Sequence, residues 1–320
     1  STVLDVLQDS RGLLWIATEN GLNRYDGYEF ETFYRERGNA HALSSDFVFD
    51  VEEDAKGMLW IATNGGGLAS YDRNTSQFTS YRHDPAEKTS IASNVIRRVL
   101  IDKQGNIWLA TRGAGLQRFN PATGEFAAVG LGDGVDGAQD IYALFRDSRG
   151  VLWAGGDQGL TQIDVETGHA ETQALQHGVR TIAEDADGRI WVGSEGGGLS
   201  RVKADGSGFD HFLSVEDDAS TIASNTVSAL FTDSAGRLWA GTTGGLSQVD
   251  HVNGAAIRYT HDASDLTSIG ADDITTIYED RGGLLWFGTK TRGLNKFNPR
   301  TWAYGFEPAE TVIPGENRQP

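Results

Sequence analysis

The stretch GLLWIATENGL, Gly12 to Leu22, places a tryptophan among aliphatics and closes on a polar pair and Gly-Leu. Alone it reads equally as one wall of a sugar-binding or catalytic cleft and as core packing. The rest of the chain decides. Tryptophans stand at 15, 60, 108, 153, 191, 239 and 286, in LLWIAT, MLWIAT, NIWLAT, VLWAGG, RIWVGS, RLWAGT and LLWFGT, at steps of 45, 48, 45, 38, 48 and 47 residues. Six residues before each lies an aspartate, followed three residues later by glycine: DSRG, DAKG, DKQG, DSRG, DADG, DSAG and DRGG. Six or seven residues after each Trp comes Gly-Leu, at Gly21, Gly67, Gly115, Gly159, Gly198, Gly245 and Gly293. The Asp-to-Trp spacing never varies, so insertions fall between units.

Periodicity gives the structure of one unit. Aliphatics three and six residues before each aspartate (Val3/Val6, Val48/Val51, Ile96/Val99, Ile141/Leu144, Val179/Ile182, Val227/Leu230, Ile274/Ile277) fit neither plain strand alternation nor a sustained helix. A bulged or strongly twisted strand reconciles them. D-x-x-G is a tight turn in which Asp bonds backbone two residues on and Gly takes positive φ. The Trp segment returns as the second strand, segments such as GLNRYD, GLASYD and GLQRFN form the third, and YEFETFY or SQFTSYR the fourth. Four-stranded units repeated every ~40 to 50 residues predict a β-propeller. The expected fold is all-β, a seven-bladed propeller over 1–308, with 309–320 as a C-terminal tail or linker; an open solenoid is the alternative. A tryptophan at one point of every sheet then fills the wedge between neighbouring blades. Trp302, in TWAYGF, breaks the pattern.

Composition narrows function. A formal charge of −18 and a pI near 4.7 disfavour nucleic-acid binding, which needs clustered cations. No stretch approaches the ~18 apolar residues of a membrane helix, so no direct membrane contact by this segment is expected. Cysteine is absent and Met58 is the only methionine; the chain opens STVLDVLQD, so the native N-terminus and any signal peptide are expected upstream. No cofactor and no metal site is expected: the D-x-x-G loops are too short to encircle calcium, and His83-Asp84 and His261-Asp262 share a register that reads as loop structure. GLGDGVDG lacks the strand, lysine and helix of a phosphate loop.

The combination of D-x-x-G, L-W-(I/V/L)-(G/A)-(T/S), a Gly-rich turn and G-L-x-x-(Y/F)-(D/N) resembles the two-component regulator propeller repeat, from Thr2 to about Pro308. The likeness is strongest in DSRGLLWIATENGLNRYDGYEF, and the Gly-His and Trp-Asp dipeptides of WD40 units are missing. The resemblance implies a non-catalytic, periplasmic sensor domain of a bacterial hybrid histidine kinase or diguanylate cyclase, with a downstream β-sandwich and signalling domains in the same chain and homodimerisation of the full-length receptor. It also implies a small-molecule or oligosaccharide ligand.

With the first strand innermost, the Gly-rich connections and the long blade-to-blade loops share one face, where binding is expected near the central channel. Two registers vary where the scaffold repeats. Five residues before the turn aspartate stand Leu4, Phe49, Arg97, Tyr142, Arg180, Ser228 and Thr275; past each Trp stand Glu19, Asn64, Arg112, Asp157, Glu195, Thr243 and Lys290. The candidate ligand-binding set is Phe49, Asn64, Arg97, Arg112, Tyr142, Asp157, Arg180, Glu195 and Lys290. Its arginines suit a carboxylate, a sulfate or sugar hydroxyls beside an aromatic ring; the alternative is a structural network pairing them with Asp50, Asp157 or Glu195. Rival functions are a protein-interaction scaffold and a lyase of the streptogramin type. The latter needs a base near the axis, whereas His41, His83, His169, His177, His211, His251 and His261 fall at unrelated registers.

Overall fold

A computed structural model describes residues 1–132, 139–265, 267–298 and the backbone of 303–307. Within these residues the chain forms seven four-stranded antiparallel sheets, each a meander of four consecutive strands. The first unit shows the plan: Val3–Gln8, Leu14–Thr18, Gly21–Tyr25 and Phe30–Phe33. The seven first strands, beginning at Val3, Val48, Ile96, Ile141, Val179, Val227 and Ile274, pack side by side around the axis, with the last meeting the first. The predicted seven-bladed propeller is therefore observed. Trp302, residues 133–137 of the GLGDGVDG stretch and the 309–320 tail lie outside the described residues.

Every first strand carries the irregularity that the i, i+3 spacing predicts, as between Val3 and Asp5 or Val48 and Asp50. The bulge turns two aliphatics three residues apart toward the same inter-blade core. The seven repeat tryptophans are at most 4% exposed and lie in the hydrophobic clusters between adjacent blades. Packing is thus the answer for Trp15 and its six equivalents.

The turn aspartate does more than cap its loop. In blade 2, one carboxylate oxygen of Asp54 accepts from the Lys56 and Met58 amides, both at 2.9 Å, and the other accepts from the Trp60 indole at 3.1 Å. The same aspartate-to-indole bond recurs in all seven blades, at 2.8 to 3.1 Å. It explains the fixed six-residue spacing: the carboxylate must satisfy the turn and the buried N–H together. At blade 1, burial alone would raise the Asp9 pKa; hydrogen bonds from Trp15, Leu13 and Arg73 outweigh it and lower it.

Neighbouring blades are also clasped at the D-x-x-G face. The amide and hydroxyl of Ser10 donate to Glu53, those of Ser148 to Glu184, and those of Ser234 to Glu279. At the seam between blades 7 and 1, the Arg281 amide donates to Gln8, the Gln8 amide to the Tyr278 hydroxyl, and the Thr275 hydroxyl to the Val3 carbonyl. Val3, Val6, Leu14 and Ile16 pack there against Trp286 and Leu294.

The long connections, residues 34–47, 82–95, 213–226 and 260–273, are each fourteen residues long and braced in the same way. An Asp or Asn near the loop's end accepts an amide near its start: Asp46 from Arg35, Asn94 from His83, Asn225 from Ser214, Asp272 from His261. Their tenth residues, Leu43, Ile91, Ile222 and Ile269, are 0–1% exposed and plug the wedge between blades. His83 and His261 each bond the carbonyl of their plug through Nδ1, at 2.8 Å, which is the loop role their shared register suggests.

Candidate functional site

The register five residues before the turn aspartate does converge at the channel mouth, on the face of the long connections. A cavity of about 500 Å³ there is lined by Phe49, Arg97, Tyr142, Arg180, Glu195 and Lys290, with Leu4, Glu19, Ser228 and Thr275 completing the ring. Six of the nine candidate residues thus share one cavity. Because successive blades present this register side by side, four consecutive side chains stack. The Arg97 guanidinium lies 4.5 Å from the Phe49 ring centre and 5.9 Å from that of Tyr142, while the Arg180 guanidinium sits 3.6 Å from the Tyr142 ring centre. Planar guanidinium groups favour such faces.

Charge pairing is uneven. Arg180 donates to Glu195 at 2.9 Å, and Arg112 lies 3.7 Å from Asp140. Arg97 makes no ion pair among the described residues, and the buried Nε atoms of Arg97 and Arg180 have no protein hydrogen-bond partner. Burial, with repulsion from Arg112 next, lowers the Arg97 pKa from its ordinary value. Burial also raises the Tyr142 phenol, an effect that Asp157 reinforces and Arg180 opposes. Lys290 approaches Asp273 at 3.9 Å, and Thr2 donates to Glu19 at 2.8 Å, so blades 7 and 1 bring one cation and two carboxylates to the rim across from the arginines of blades 3 and 5. The arrangement can hold an anionic, partly planar group: stacked cations with unspent donors on one side, hydroxyl and carboxylate acceptors on the other.

Three candidates stand apart. Asn64 is exposed and held by its backbone, its amide donating to the Phe47 carbonyl. Arg112 and Asp157 do not line the cavity, although both act on its residues through charge. The expected alternative pairing of an arginine with Asp50 occurs, but with Arg98, at 2.9 Å.

Arg98 belongs to a cluster that sequence reading missed, deeper in the channel. A second cavity, of about 530 Å³, is lined there by Asp5, Asp50, Glu52 and Arg98 among others. Asp50 accepts the Val99 amide of the next blade at 2.6 Å, and Asp5 the Val51 amide at 3.2 Å. Thr181 accepts the Leu230 amide in the same way at 3.0 Å. These side chains, four residues before the turn aspartate, therefore bridge blades at the bulge. Burial, with Asp50 next, raises Asp5 well above the carboxylate range and pushes Glu52 up to about 8. The signal was present as charges at an innermost register that elsewhere holds Ala or Thr. Among the described residues no three His, Asp or Glu side chains are placed to hold a metal ion.

Fold and site together define a closed propeller whose irregular residues gather at the hub. The family model for the two component regulator propeller matches residues 42–65, 90–113, 175–196, 221–244 and 268–291. The matches fall in blades 2, 3, 5, 6 and 7 and do not include the blade 1 stretch in which the resemblance looks strongest. No match to the sequence is found among curated proteins. Among solved structures, similarity extends to the extracellular domain of a protein described as a hybrid two component system from B. thetaiotaomicron, with TM-score 0.53 and 21% identity over 96% of this chain and 52% of that one. PorZ, described as a bacterial surface component of the type-IX secretion system of Porphyromonas gingivalis, gives 0.60 and 18% over 95% and 51%. A streptogramin B lyase gives 0.70 and 14% over 96% and 94%. The chain spans about half the length of the first two. At these identities the likenesses establish the fold.

Proposed function

We propose that this propeller is the extracytoplasmic ligand-sensing module of a bacterial membrane signalling protein, and that it takes an anionic small molecule, such as a carbohydrate fragment bearing a carboxylate or sulfate, at the channel mouth. The repeat family supports the sensor reading. The carrying observation is the Phe49, Arg97, Tyr142, Arg180 stack, in which two buried guanidinium Nε donors lack partners. Arg97 lines the cavity and has no ion pair among the described residues, and an oxyanion bound there would supply one. The aromatic faces fix the planes of the guanidinium groups before binding, which lowers the entropy lost on capture. None of the seven histidines lines either channel cavity, which favours binding over the base-dependent chemistry of a lyase. Signalling then requires that the ligand prefer one arrangement of the receptor over another.

A thermal-shift series of uronic acids and sulfated sugars against their neutral parents tests this. A ligand at 100 times its dissociation constant stabilises by about 2.7 kcal/mol. Arg97→Ala and Arg180→Ala should each abolish the shift. An unchanged shift in both variants, or equal shifts from neutral parents, would overturn the assignment.

A further inference from the structure

The connection between blades 4 and 5, residues 175–178, has only four residues where four of its sisters have fourteen. Five of the blade-to-blade connections deliver an aliphatic plug, Leu43, Ile91, Leu131, Ile222 and Ile269, each 0–2% exposed. The short one offers only Leu175, which is partly buried against the edge of the cluster. In place of a plug lies a cavity of about 380 Å³, lined by Leu175, His177, Gly197, Ser200, Phe209 and His211 together with neighbouring backbone.

Strand register shows what fills the equivalent space at the next junction. Val202 pairs with Phe209 as Val249 pairs with Ala256, so Gly197, Ser200, Phe209 and His211 of blade 5 correspond to Gly244, Ser247, Ala256 and Arg258 of blade 6. On blade 6 those four positions all engage the connection that carries Ile222. The Ala256 amide donates to the Ser220 carbonyl at 2.7 Å, the Ala223 amide donates to Ser247 Oγ at 3.0 Å, Arg258 donates to the Thr221 carbonyl, and a Cβ on Gly244 would meet the Ala223 carbonyl oxygen at 2.7 Å. The first of these bonds recurs elsewhere: Phe78 donates to the His41 carbonyl and Phe126 to that of Thr89. On blade 5, no loop carbonyl among the described residues takes the Phe209 amide, Ser200 Oγ is matched only with His211 Nδ1 at 2.9 Å, and His177 covers Gly197.

We propose that the junction of blades 4 and 5 is a peptide-binding groove, which takes a short segment of a partner polypeptide in the manner that the chain's own connections occupy the sister junctions. The segment offers a carbonyl to the Phe209 amide, an aliphatic side chain two residues on to the pocket walled by Leu175 and Phe209, and the next amide to Ser200 Oγ. The recurring internal sequences Thr89–Asn94 (TSIASN) and Ser220–Asn225 (STIASN) state the preferred pattern: a hydroxyl residue, a single Ile, then small and amide residues. The contact is one backbone hydrogen bond to the outer strand together with one anchoring side chain. Since Glu195 and Arg180 lie at the channel mouth while Ser194, Gly196 and His177 line the groove, the two sites are adjacent on one face.

The test is titration of the purified propeller with the synthetic, end-blocked peptide STIASN, followed calorimetrically and by the NMR shifts of the Phe209 amide and the His211 ring. Binding with perturbation of both signals is expected, together with weakening by roughly tenfold or more when aspartate replaces the isoleucine. Replacing residues 175–178 with the sequence of residues 213–226 should fill the groove from within, raise the melting temperature and abolish peptide binding. If that graft does not fold, Leu175→Glu serves as the blocked variant. Absence of binding by the wild-type protein at millimolar peptide, equal binding of the aspartate peptide, or binding that survives in the blocked variants would each overturn the proposal.

Discussion

Removing one turn carboxylate tests the central structural claim, that the aspartate couples turn to tryptophan. Asp54 is the clean site, because its three ligands are the Lys56 and Met58 amides and the Trp60 indole, with no arginine among them. In Asp54→Ala the indole N–H stays buried beside a lost acceptor, at about 1–3 kcal/mol, while the two turn amides lie near solvent and rehydrate for about 1 kcal/mol together. The expected loss is about 2–4 kcal/mol. Asp54→Asn keeps a carbonyl for the turn amides and sets an N–H against the indole or leaves it unmade, so it should lose about half as much. Urea unfolding, followed by circular dichroism to average over all blades, gives the stabilities. Combining Asp54→Ala with Trp60→Phe closes a double-mutant cycle, and a coupling of about 1 kcal/mol or more is expected. An Asp54→Ala protein within ~0.5 kcal/mol of wild type, or a cycle that closes to zero, would refute the reasoning.

Three further outcomes follow from the coordinates. Glu52 has a folded-state pKa pushed up to about 8, above its unfolded value, so the folded form holds the extra proton and stability should fall as pH rises from about 4.5 to 8; Glu52→Gln should flatten that slope and raise the melting temperature at pH 8. Asp9 runs the other way, its lowered pKa giving stability that is present above about pH 4 and lost in acid, so Asp9→Asn should show a smaller fall in melting temperature below pH 4. Gly67 has φ +75° and a Cβ there would meet the Tyr81 carbonyl oxygen at 2.1 Å, so Gly67→Ala should lose about 2 kcal/mol or more in denaturant titration, whereas Gly65→Ala, with φ +81° and open space, should lose about 1.

The fold was legible because its repeating unit is written in residues that have few alternatives: Gly for positive φ, Trp for the wedge, aliphatics three apart for the bulge. What the aspartates do for the indoles was not read, although the invariant spacing of six was its trace. The channel mouth was legible because one position per blade must face the axis, and six of nine candidates gather there. Asn64 failed to join because its connection turns the side chain outward while the backbone bridges to the neighbouring blade. The channel cluster escaped because its charges sit one residue deeper, at positions where a bulge makes facing direction hard to assign. The long connections looked like binding loops by length alone; their tenth-residue Leu or Ile and their Asx braces, visible as the recurring IASN, mark them as structural.

Among the described residues each sheet is woven from four strands consecutive in the chain, and the seam between the last and first is made of side chains and a few crossing hydrogen bonds, with no strand exchanged across it. No seam is topologically privileged. A gene rearranged to open at another inter-blade connection would still encode seven intact meanders, and a duplicated or deleted unit alters the number of blades and not the weave of any. Such an architecture can lengthen, shorten or reshuffle its hub while every sheet keeps its own instructions.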